Sequence, residues 1–188
     1  LMPIANAATS IGPLYVWRNV SGRSFSPPGS FGRKEASHGN FLKMGYADSE
    51  KWMTGHMHIF NNTIFQPKGE GAKGLGGSSR IIKHCVSRNN ILHVRASDSH
   101  SISTGKSEDN DFDHDLLSAS YPAGQEKHGV SGAPRYVPGT GFSFETKTGN
   151  FQLAPDSPGY DRGVILPNFC DVFTGGGPDT GAHEAGAG

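Results

Sequence analysis

Short stretches in which apolar residues flank one or two polar residues recur along the chain and predict strands rather than long helices. Four hexapeptides share one pattern: VWRNVS (16–21), IFNNTI (59–64), VSRNNI (86–91) and FDHDLL (112–117). In a gapless alignment the first position is apolar (Val16, Ile59, Val86, Phe112) and the fourth carries a side-chain oxygen (Asn19, Asn62, Asn89, Asp115). Their intervals of 43, 27 and 26 residues predict a repeat of about 26 residues with an insertion in the first copy.

The segments between the hexapeptides complete the predicted repeat. Residues 22–40 are rich in Gly, Ser and Pro and have no period of two or 3.6 residues, so they are the expected insertion. FLKMGY (41–46) is a predicted strand, whereas the polar stretches 66–79 and 97–110 are predicted loops. We therefore expect one domain over 1–188, with repeats in residues 13–150 and a last strand and tail in residues 151–188.

Stacking of the repeats would bring equivalent residues together. In parallel strands about 4.8 Å apart, fourth-position residues of successive copies lie above one another. Asn and Asp tolerate left-handed backbone and bond each other, so a ladder is expected at a bend between strands. In VSRNNI this predicts Val86 and Ile91 in the core, Asn89 in the ladder and Arg88 facing outward. Chance recurrence of a short motif and a β-sandwich are the alternatives.

The C-terminal third carries a resemblance to a known superfamily. FQLAPDSPGYDRG (151–163), LPNFCDVFTGGGPDTGAHEAG (166–186) and the preceding KHGVSGAPRYV (127–137) resemble the ending of the right-handed parallel β-helix proteins of the pectate-lyase-like superfamily. The resemblance implies an all-β fold, a right-handed parallel β-helix (solenoid) of several coils with an irregular C-terminal tail, here as a fragment of a longer β-helix. It also implies a secreted, carbohydrate-active protein in an extracellular or periplasmic location.

Composition and charge restrict the function classes. The 27 Gly and 12 Pro suit many short segments and turns. Seventeen acidic and seventeen basic side chains cancel, so no overall field attracts nucleic acid or an anionic membrane, and neither is an expected partner. No G-x-S-x-G motif and no phosphate-binding loop ending in G-K-[ST] occurs. Cys85 and Cys170 are too few for a disulfide framework and are expected to be separate thiols.

Polysaccharide cleavage by a lyase, which the resemblance favours over hydrolysis, needs a base near the sugar C5 proton and a cation near the uronate carboxylate. The third hexapeptide positions and nearby predicted strands offer basic or titratable groups. The candidate catalytic residues are Lys43, His84 and Arg88, and the candidate substrate-binding residues are Arg18, His58, Asn61 and His114. A solvated outer face is the alternative interpretation of this polar stripe.

Carboxylates suggest two further kinds of site. A glycoside hydrolase needs two carboxyl groups across the scissile bond, and Asp179 and Glu184 could form such a pair, although carboxylates beside glycines more often bond turn amides. Asp109, Asp111 and Asp113 alternate in sequence and would share one face of an extended segment. Calcium is therefore the candidate cofactor, although the spacing of these residues is not that of an EF-hand. His56 and His58 could chelate zinc but lack a third ligand at diagnostic spacing.

The expected function is therefore binding or cleavage of a polysaccharide, with uronate-containing polymers as candidate partners. The alternative is a non-catalytic β-helix, such as an adhesin, a surface or tail-fibre element, or a fragment that lacks the catalytic coils. Because an uncapped coil end is an open strand edge, self-association through exposed coil ends is also expected.

Overall fold

The computed structural model describes residues 13–22, 40–43, 54–67, 73–76, 82–103, 107–143, 146 and 148–186. Within these residues the chain forms strands and no helix, as predicted for an all-β fold.

The first four strands are β1 (Leu14–Trp17), β2 (Val20–Ser21), β3 (Asn40–Lys43) and β4 (Thr54–Gly55). The next four are β5 (Met57–Phe60), β6 (Thr63–Gln66), β7 (Lys73–Gly76) and β8 (Ile82–Lys83). They are followed by β9 (Val86–Arg88), β10 (Ile91–Val94), β11 (His100–Ser103) and β12 (Ser107–Glu108). The last strands are β13 (Asp111–Phe112), β14 (Leu116–Leu117), β15 (Val130–Ser131), β16 (Gly141–Ser143) and β17 (Thr148–Asn150).

The strands assemble into four parallel sheets that the chain visits in a fixed order. Sheet A has the order β1-β5-β9-β13, sheet B the order β2-β6-β10-β14-β15, sheet C the order β3-β7-β11 and sheet D the order β4-β8-β12. We call one passage through sheets A, B, C and D a circuit; three are complete, and β13 and β14 begin a fourth. β16 and β17 pair antiparallel, as a hairpin. This arrangement is compatible with a parallel β-helix.

Two predicted loops contain strands instead. Residues 66–79 include β7, and residues 97–110 include β11 and β12, so the repeat has four strands rather than two. KGLG contains no β-branched or aromatic residue and HSIS contains only one β-branched residue, Ile102, so the usual strand signal is weak; both form strands because a parallel neighbour supplies the pairing.

The predicted insertion lies where expected. From Val20 to Asn40 the chain takes 20 residues, whereas the equivalent step from Thr63 to Lys73 takes 10. Residues 23–39 themselves lie outside the described part of the chain. The predicted strand at FLKMGY is confirmed over residues 41–43 as part of β3, which begins one residue earlier; residues 44–46 lie outside the described part of the chain.

Apolar side chains pack between the sheets and also on the outside of sheet B. The inner cluster comprises Val16, Phe41, Met57, Ile59, Ile64, Leu75, Cys85, Leu92, Val94, Ile102, Phe112 and Leu117. An outer cluster joins Ile91 and Leu116 to Leu153, Tyr136 and Tyr160. The tail (residues 151–186) therefore packs against sheet B. It is irregular, as predicted, but the expected last strand is reduced to a single bridge between Leu153 and Tyr136.

The predicted ladder exists, with one wrong member. Asn19 donates its backbone and side-chain N–H groups to Asn62 Oδ1 (3.0 and 3.1 Å), and Asn62 does the same to Asn90 Oδ1 (2.9 and 2.8 Å). Asn90, rather than Asn89, then bonds Asp115. The third hexapeptide is thus SRNNIL, one residue later than predicted. A shift of one residue exchanges the inner and outer faces of the strand. Ser87 is therefore buried inside and Val86 is half-buried on the outer face, while Ile91 lies under the tail.

No helix in the described part of the chain has the length and hydropathy needed to cross a membrane.

Candidate functional site: the outer face of sheet A

Sheet A presents two columns of side chains on the face turned away from the core. Val16, Ile59, Ser87 and Phe112 point inward and are buried, so the residues that alternate with them point outward. One column is Tyr15, His58, Val86 and Asp111. The other is Trp17, Phe60 and Arg88, followed by Asp113, whose N–H bonds Ser87 O. Along both columns the surface changes from aromatic at β1 to charged at β13.

The aromatic end is partly covered by the tail. The Phe169 ring packs against Phe60, Trp17 and Tyr15, with centroid separations of 5.1, 5.4 and 5.6 Å. Tyr15 also stacks on His58 at 4.9 Å, and burial lowers the pKa of that imidazole. Even so, Tyr15 remains 51% exposed and Trp17 42% exposed. Two aromatic rings are therefore held in place by packing on one side while their other surfaces face solvent.

A cleft opens beside Trp17. It has a volume of about 380 Å³, and its walls come from the end of β1 and from the tail. The lining includes Trp17, Arg18, Phe169, Asp171 and Glu184. The exposed Arg18 guanidinium lies over the indole, with Cζ 5.5 Å from the ring centroid. A lining that combines aromatic rings, a cation and carboxylates suits a polar ligand that also has an apolar face.

The charged end is organised by Arg88. Its Nη2 lies 2.5 Å from Asp111 Oδ2, and its Nη1 donates to the carbonyl oxygens of Ser87 (2.7 Å) and Asp111 (2.9 Å). The Arg88 side chain is 17% exposed. The guanidinium that was predicted to bind a uronate is therefore already bound to a carboxylate and two carbonyls.

Asp113 adjoins this ion pair and meets two histidines. Its Oδ1 accepts the backbone N–H groups of His114 (3.0 Å) and His128 (2.6 Å). Its Oδ2 lies 2.7 Å from His128 Nδ1 and 4.0 Å from His114 Nε2. The two imidazoles stack at 4.9 Å. Burial opposes ionisation of Asp113, but its hydrogen bonds with His128 and His114 outweigh that effect and lower its pKa. Burial likewise lowers the pKa of His114.

The corner between sheets A and B carries the third-position residues. Arg18, Asn61, Asn89 and His114 all have left-handed backbone, with φ between 49° and 61°. This conformation turns the chain from one sheet into the next. Asn61 (2% exposed) and Asn89 (0%) are buried, and Asn89 exchanges hydrogen bonds of 2.8 Å with Val164 of the tail. Of the corner residues, only Arg18 and His114 are accessible to a ligand.

The three candidate catalytic residues lie on different parts of the fold. Arg88 is on sheet A, whereas the backbone of Lys43 pairs with Gly76 in sheet C; the Lys43 side chain is outside the described structure. His84 occupies the corner between sheets D and A, where its exposed ring stacks on His56 at 5.1 Å. The structure therefore places His84 just before β9, Arg88 at the end of β9, and Lys43 on another sheet.

The candidate calcium ligands do not converge. Asp111 and Asp113 flank the buried Phe112 and share the outer face, as predicted. Asp109 has left-handed backbone with φ of 52°, which interrupts the expected alternation. Among the described residues, the group whose ligand atoms lie within reach of one ion is Asp113, His114 and His128, not the three aspartates.

The tail carboxylates and the cysteines have the structural roles expected. Asp179 accepts the N–H groups of Asp161 (2.7 Å) and Ala185 (2.8 Å), and Glu184 accepts those of Asp179 (3.0 Å) and Thr174 (3.3 Å). Burial raises the pKa of both carboxyls. Cys85 and Cys170 are separate buried thiols, as predicted.

A second carboxyl pair, Asp115 and Glu126, is buried at the end of the ladder. Burial first, and the neighbouring Asp115 second, raise the pKa of Glu126 to about 10, and burial also raises that of Asp115. Both side chains are at most 5% exposed, so no substrate reaches them. The pair belongs to the scaffold.

Sequence reasoning missed Tyr15, Trp17, Phe169 and His128. The first two had a readable signal, because they alternate with the inward-facing Val16. No sequence signal pointed to His128. Residues 14 apart are neighbours here, as the pairing of Leu116 in β14 with Val130 in β15 shows, and this spacing brings His128 next to His114.

No protein-family model, curated protein or solved structure matches this chain. Its function therefore has to be inferred from the site itself.

Proposed function

We propose that the protein is a right-handed parallel β-helix that binds a polysaccharide along the outer face of sheet A. The scaffold part of the proposal is supported by the three circuits through sheets A, B, C and D and by the Asn ladder at their corner. The polysaccharide and a location outside the cytoplasm are expectations from the resemblance, and the aromatic end of sheet A supports only the first of them.

One observation carries the proposal: the half-exposed rings of Tyr15 and Trp17 beside the Arg18 guanidinium and the cleft. A sugar ring has an apolar C–H face and a rim of hydroxyls, so it can pack on an aromatic ring while its rim bonds polar groups. Because Phe169 and His58 hold the rings in place, little side-chain entropy is lost on binding.

The extended shape of the face favours a polymer over a free sugar. Each column crosses four strands, and the three spacings between them, at about 4.8 Å each, add up to about 14 Å. Arg18 supplies a cation at the aromatic end, so a uronate-containing chain is the first polymer to test.

Binding without cleavage is favoured by the state of Arg88. In a lyase its guanidinium would neutralise the uronate, but here it is bound by Asp111 and by carbonyl oxygens. Using it for substrate would require breaking that ion pair. We therefore place the non-catalytic module ahead of the lyase.

The test uses the full chain and a panel of pectic, alginate, glycosaminoglycan and neutral polymers. Affinity is measured by calorimetry, and Tyr15→Ala and Trp17→Ala are compared with Tyr121→Ala, which removes a ring of similar exposure (38%) away from sheet A. We expect at least about a tenfold loss of affinity for each sheet A variant, which corresponds to about 1.4 kcal/mol, and no change for the control.

Two results decide against parts of the proposal. Equal affinity in the wild type, Tyr15→Ala and Trp17→Ala, or no binding to any polymer, would refute the aromatic site. Unsaturated uronate ends, followed by their absorbance and lost in Arg88→Ala and His84→Ala, would show instead that the protein is a lyase.

A further inference from the structure

At the end of sheet A opposite the aromatic rings lies a cluster of one carboxylate and two imidazoles that no sequence motif predicted. Asp113 Oδ2, His114 Nε2 and His128 Nδ1 all lie within 4.8 Å of one another. They come from two layers of the fold: Asp113 and His114 follow β13, and His128 precedes β15. We propose that these three side chains bind one zinc-class divalent ion, a site that does not depend on polysaccharide binding.

The donor set selects the kind of ion. Two imidazole nitrogens and one carboxylate oxygen match the ligands of zinc and its first-row neighbours. Calcium prefers six to eight oxygen ligands, and this cluster supplies one carboxylate. Three protein ligands leave a fourth position for water, which is the pattern of an open zinc site rather than a closed structural one.

The carboxylate is already oriented for this role. Asp113 Oδ1 is fixed by the two backbone N–H groups of His114 and His128, so Oδ2 is directed at both rings. Hydrogen bonds to the oxygen that does not bind the metal hold such a carboxylate in its binding orientation. The same two amides also fix the backbone of both histidines relative to Asp113.

Only modest movement is needed to close the cluster around an ion. Bonds of about 2.0–2.1 Å to the metal place donor atoms roughly 3.3 Å apart in a tetrahedral site. The 2.7 Å contact between His128 Nδ1 and Asp113 Oδ2 would lengthen, and the 4.0 Å contact of His114 Nε2 would shorten. His128 is 66% exposed, so its stacking on His114 is the main contact that a rotation of its ring would change.

The surrounding charges permit a cation. Arg88 is the positive group facing His114, and its charge is offset by the ion pair with Asp111. Asp113 therefore gives the cluster a net negative charge when the imidazoles are neutral. A bound ion would also connect residues 121–129 to sheet A, because His128 lies at the end of that segment.

The experiment titrates the full, untagged chain with Zn²⁺ after chelator treatment, using calorimetry and the visible spectrum of the Co²⁺ form. His114→Gln and His128→Gln are compared with His100→Gln, an exposed histidine on β11 whose ring bonds Ser120 instead. We expect one ion per chain, an affinity at least about tenfold weaker in each cluster variant, and no change in the control. Zn²⁺ should also raise the unfolding temperature of the wild type but not of His128→Gln.

Several results would overturn the site. These are no binding at millimolar Zn²⁺, equal affinity in the wild type and His128→Gln, or a cobalt–thiolate charge-transfer band that places the ion at a cysteine. Tight Ca²⁺ binding that Zn²⁺ does not displace would also refute the assigned ion. Because the readouts are metal affinity and unfolding temperature, the outcome is separate from that of the polysaccharide assay.

Discussion

Asn90 donates both its backbone N–H and its side-chain amide to one carboxylate oxygen of Asp115, at 2.7 and 2.9 Å. The other oxygen of Asp115 accepts the Ser87 hydroxyl at 2.5 Å. The Asp115 N–H donates in turn to Glu126 Oε2 at 3.1 Å, which ends the ladder. A column of amides thus terminates in two buried carboxyl groups, and this arrangement makes stability depend on pH.

Replacing Glu126 by glutamine should stabilise the protein at alkaline pH. The folded-state pKa of Glu126 is raised from 4.5 to about 10, so the unfolded chain loses this proton at a lower pH than the native chain. The stabilisation is complete below about pH 4.5 and is lost as pH rises toward 10. Glu126→Gln keeps an oxygen for the Asp115 N–H and removes the titration. We expect similar urea unfolding near pH 4 and a gain of several kcal/mol at pH 8, because the wild type loses about 1.4 kcal/mol of stability per pH unit between the two pKa values.

The control for this prediction is Asp156→Asn, which alters an exposed carboxylate (74%) paired with Arg135. Its free energy of unfolding should stay within about 0.5 kcal/mol of the wild type across the same pH range. A Glu126→Gln protein whose stability relative to the wild type does not rise with pH would show that Glu126 is ionised in the fold.

Asn62 is the ladder member whose loss should cost most. Its side chain accepts two hydrogen bonds from Asn19, and its two amide hydrogens are shared among Val16 O, Phe60 O and Asn90 Oδ1, all within 3.1 Å. It is fully buried, so Asn62→Ala leaves several groups without partners or water. We expect a loss of about 3 kcal/mol in urea unfolding. Asn19→Ala, at the exposed end, should cost about 1 kcal/mol or less, and equal losses would contradict the ladder's role.

The sequence was sufficient to predict three of the four ladder members and the strands on either side of them, because Val16, Ile59 and Phe112 each precede an Asn or Asp by three residues. It misplaced one copy by a residue because the inward position there is Ser87, which is polar. Ser87 is tolerated inside since its hydroxyl bonds Asp115, a partner that lies 28 residues away. A local pattern contains no information about such a partner.

The candidate site was predictable to a similar extent. Arg18, His58, Arg88, Asp111, Asp113 and His114 do lie on sheet A or its corner with sheet B. The burial of Asn61 and Asn89 was not predictable, because it depends on where the tail packs. The same is true of Phe169, which reaches the aromatic rings across more than 100 residues of sequence.

Asn89 should control how firmly the tail is held. Its side chain bonds both the N–H and the C=O of Val164 and lies 3.4 Å from Cys170 Sγ, and its carbonyl accepts the Gly181 N–H. Cys170 is 3% exposed, and burial raises the pKa of its thiol, so it should react slowly with a thiol reagent at pH 8. Asn89→Ala should increase that rate about tenfold by local opening.

Cys85 provides the internal control for this experiment. It lies in the inner core with 0% exposure, and burial raises the pKa of its thiol to about 11. Because it belongs to the inner cluster, its labelling rate should be unchanged in Asn89→Ala. Equal acceleration at both thiols, measured by mass spectrometry of labelled peptides, would indicate global destabilisation rather than release of the tail.

Gly181 lies where the tail meets sheet B, and its replacement by alanine should be costly. Its φ is +98°, and a Cβ there would lie 2.5 Å from Ile91 Cδ1 and 2.8 Å from Thr63 Oγ1. Gly181→Ala therefore combines backbone strain with overlap, and we expect a loss of about 2–4 kcal/mol in urea unfolding. Gly124→Ala is the matched variant, because its φ is +85° but nothing lies within 4 Å of its Cβ position. It should cost about 1 kcal/mol from strain alone. The difference between the two variants measures the steric contact between tail and sheet, and no difference would mean that the tail can move away from Ile91 without cost.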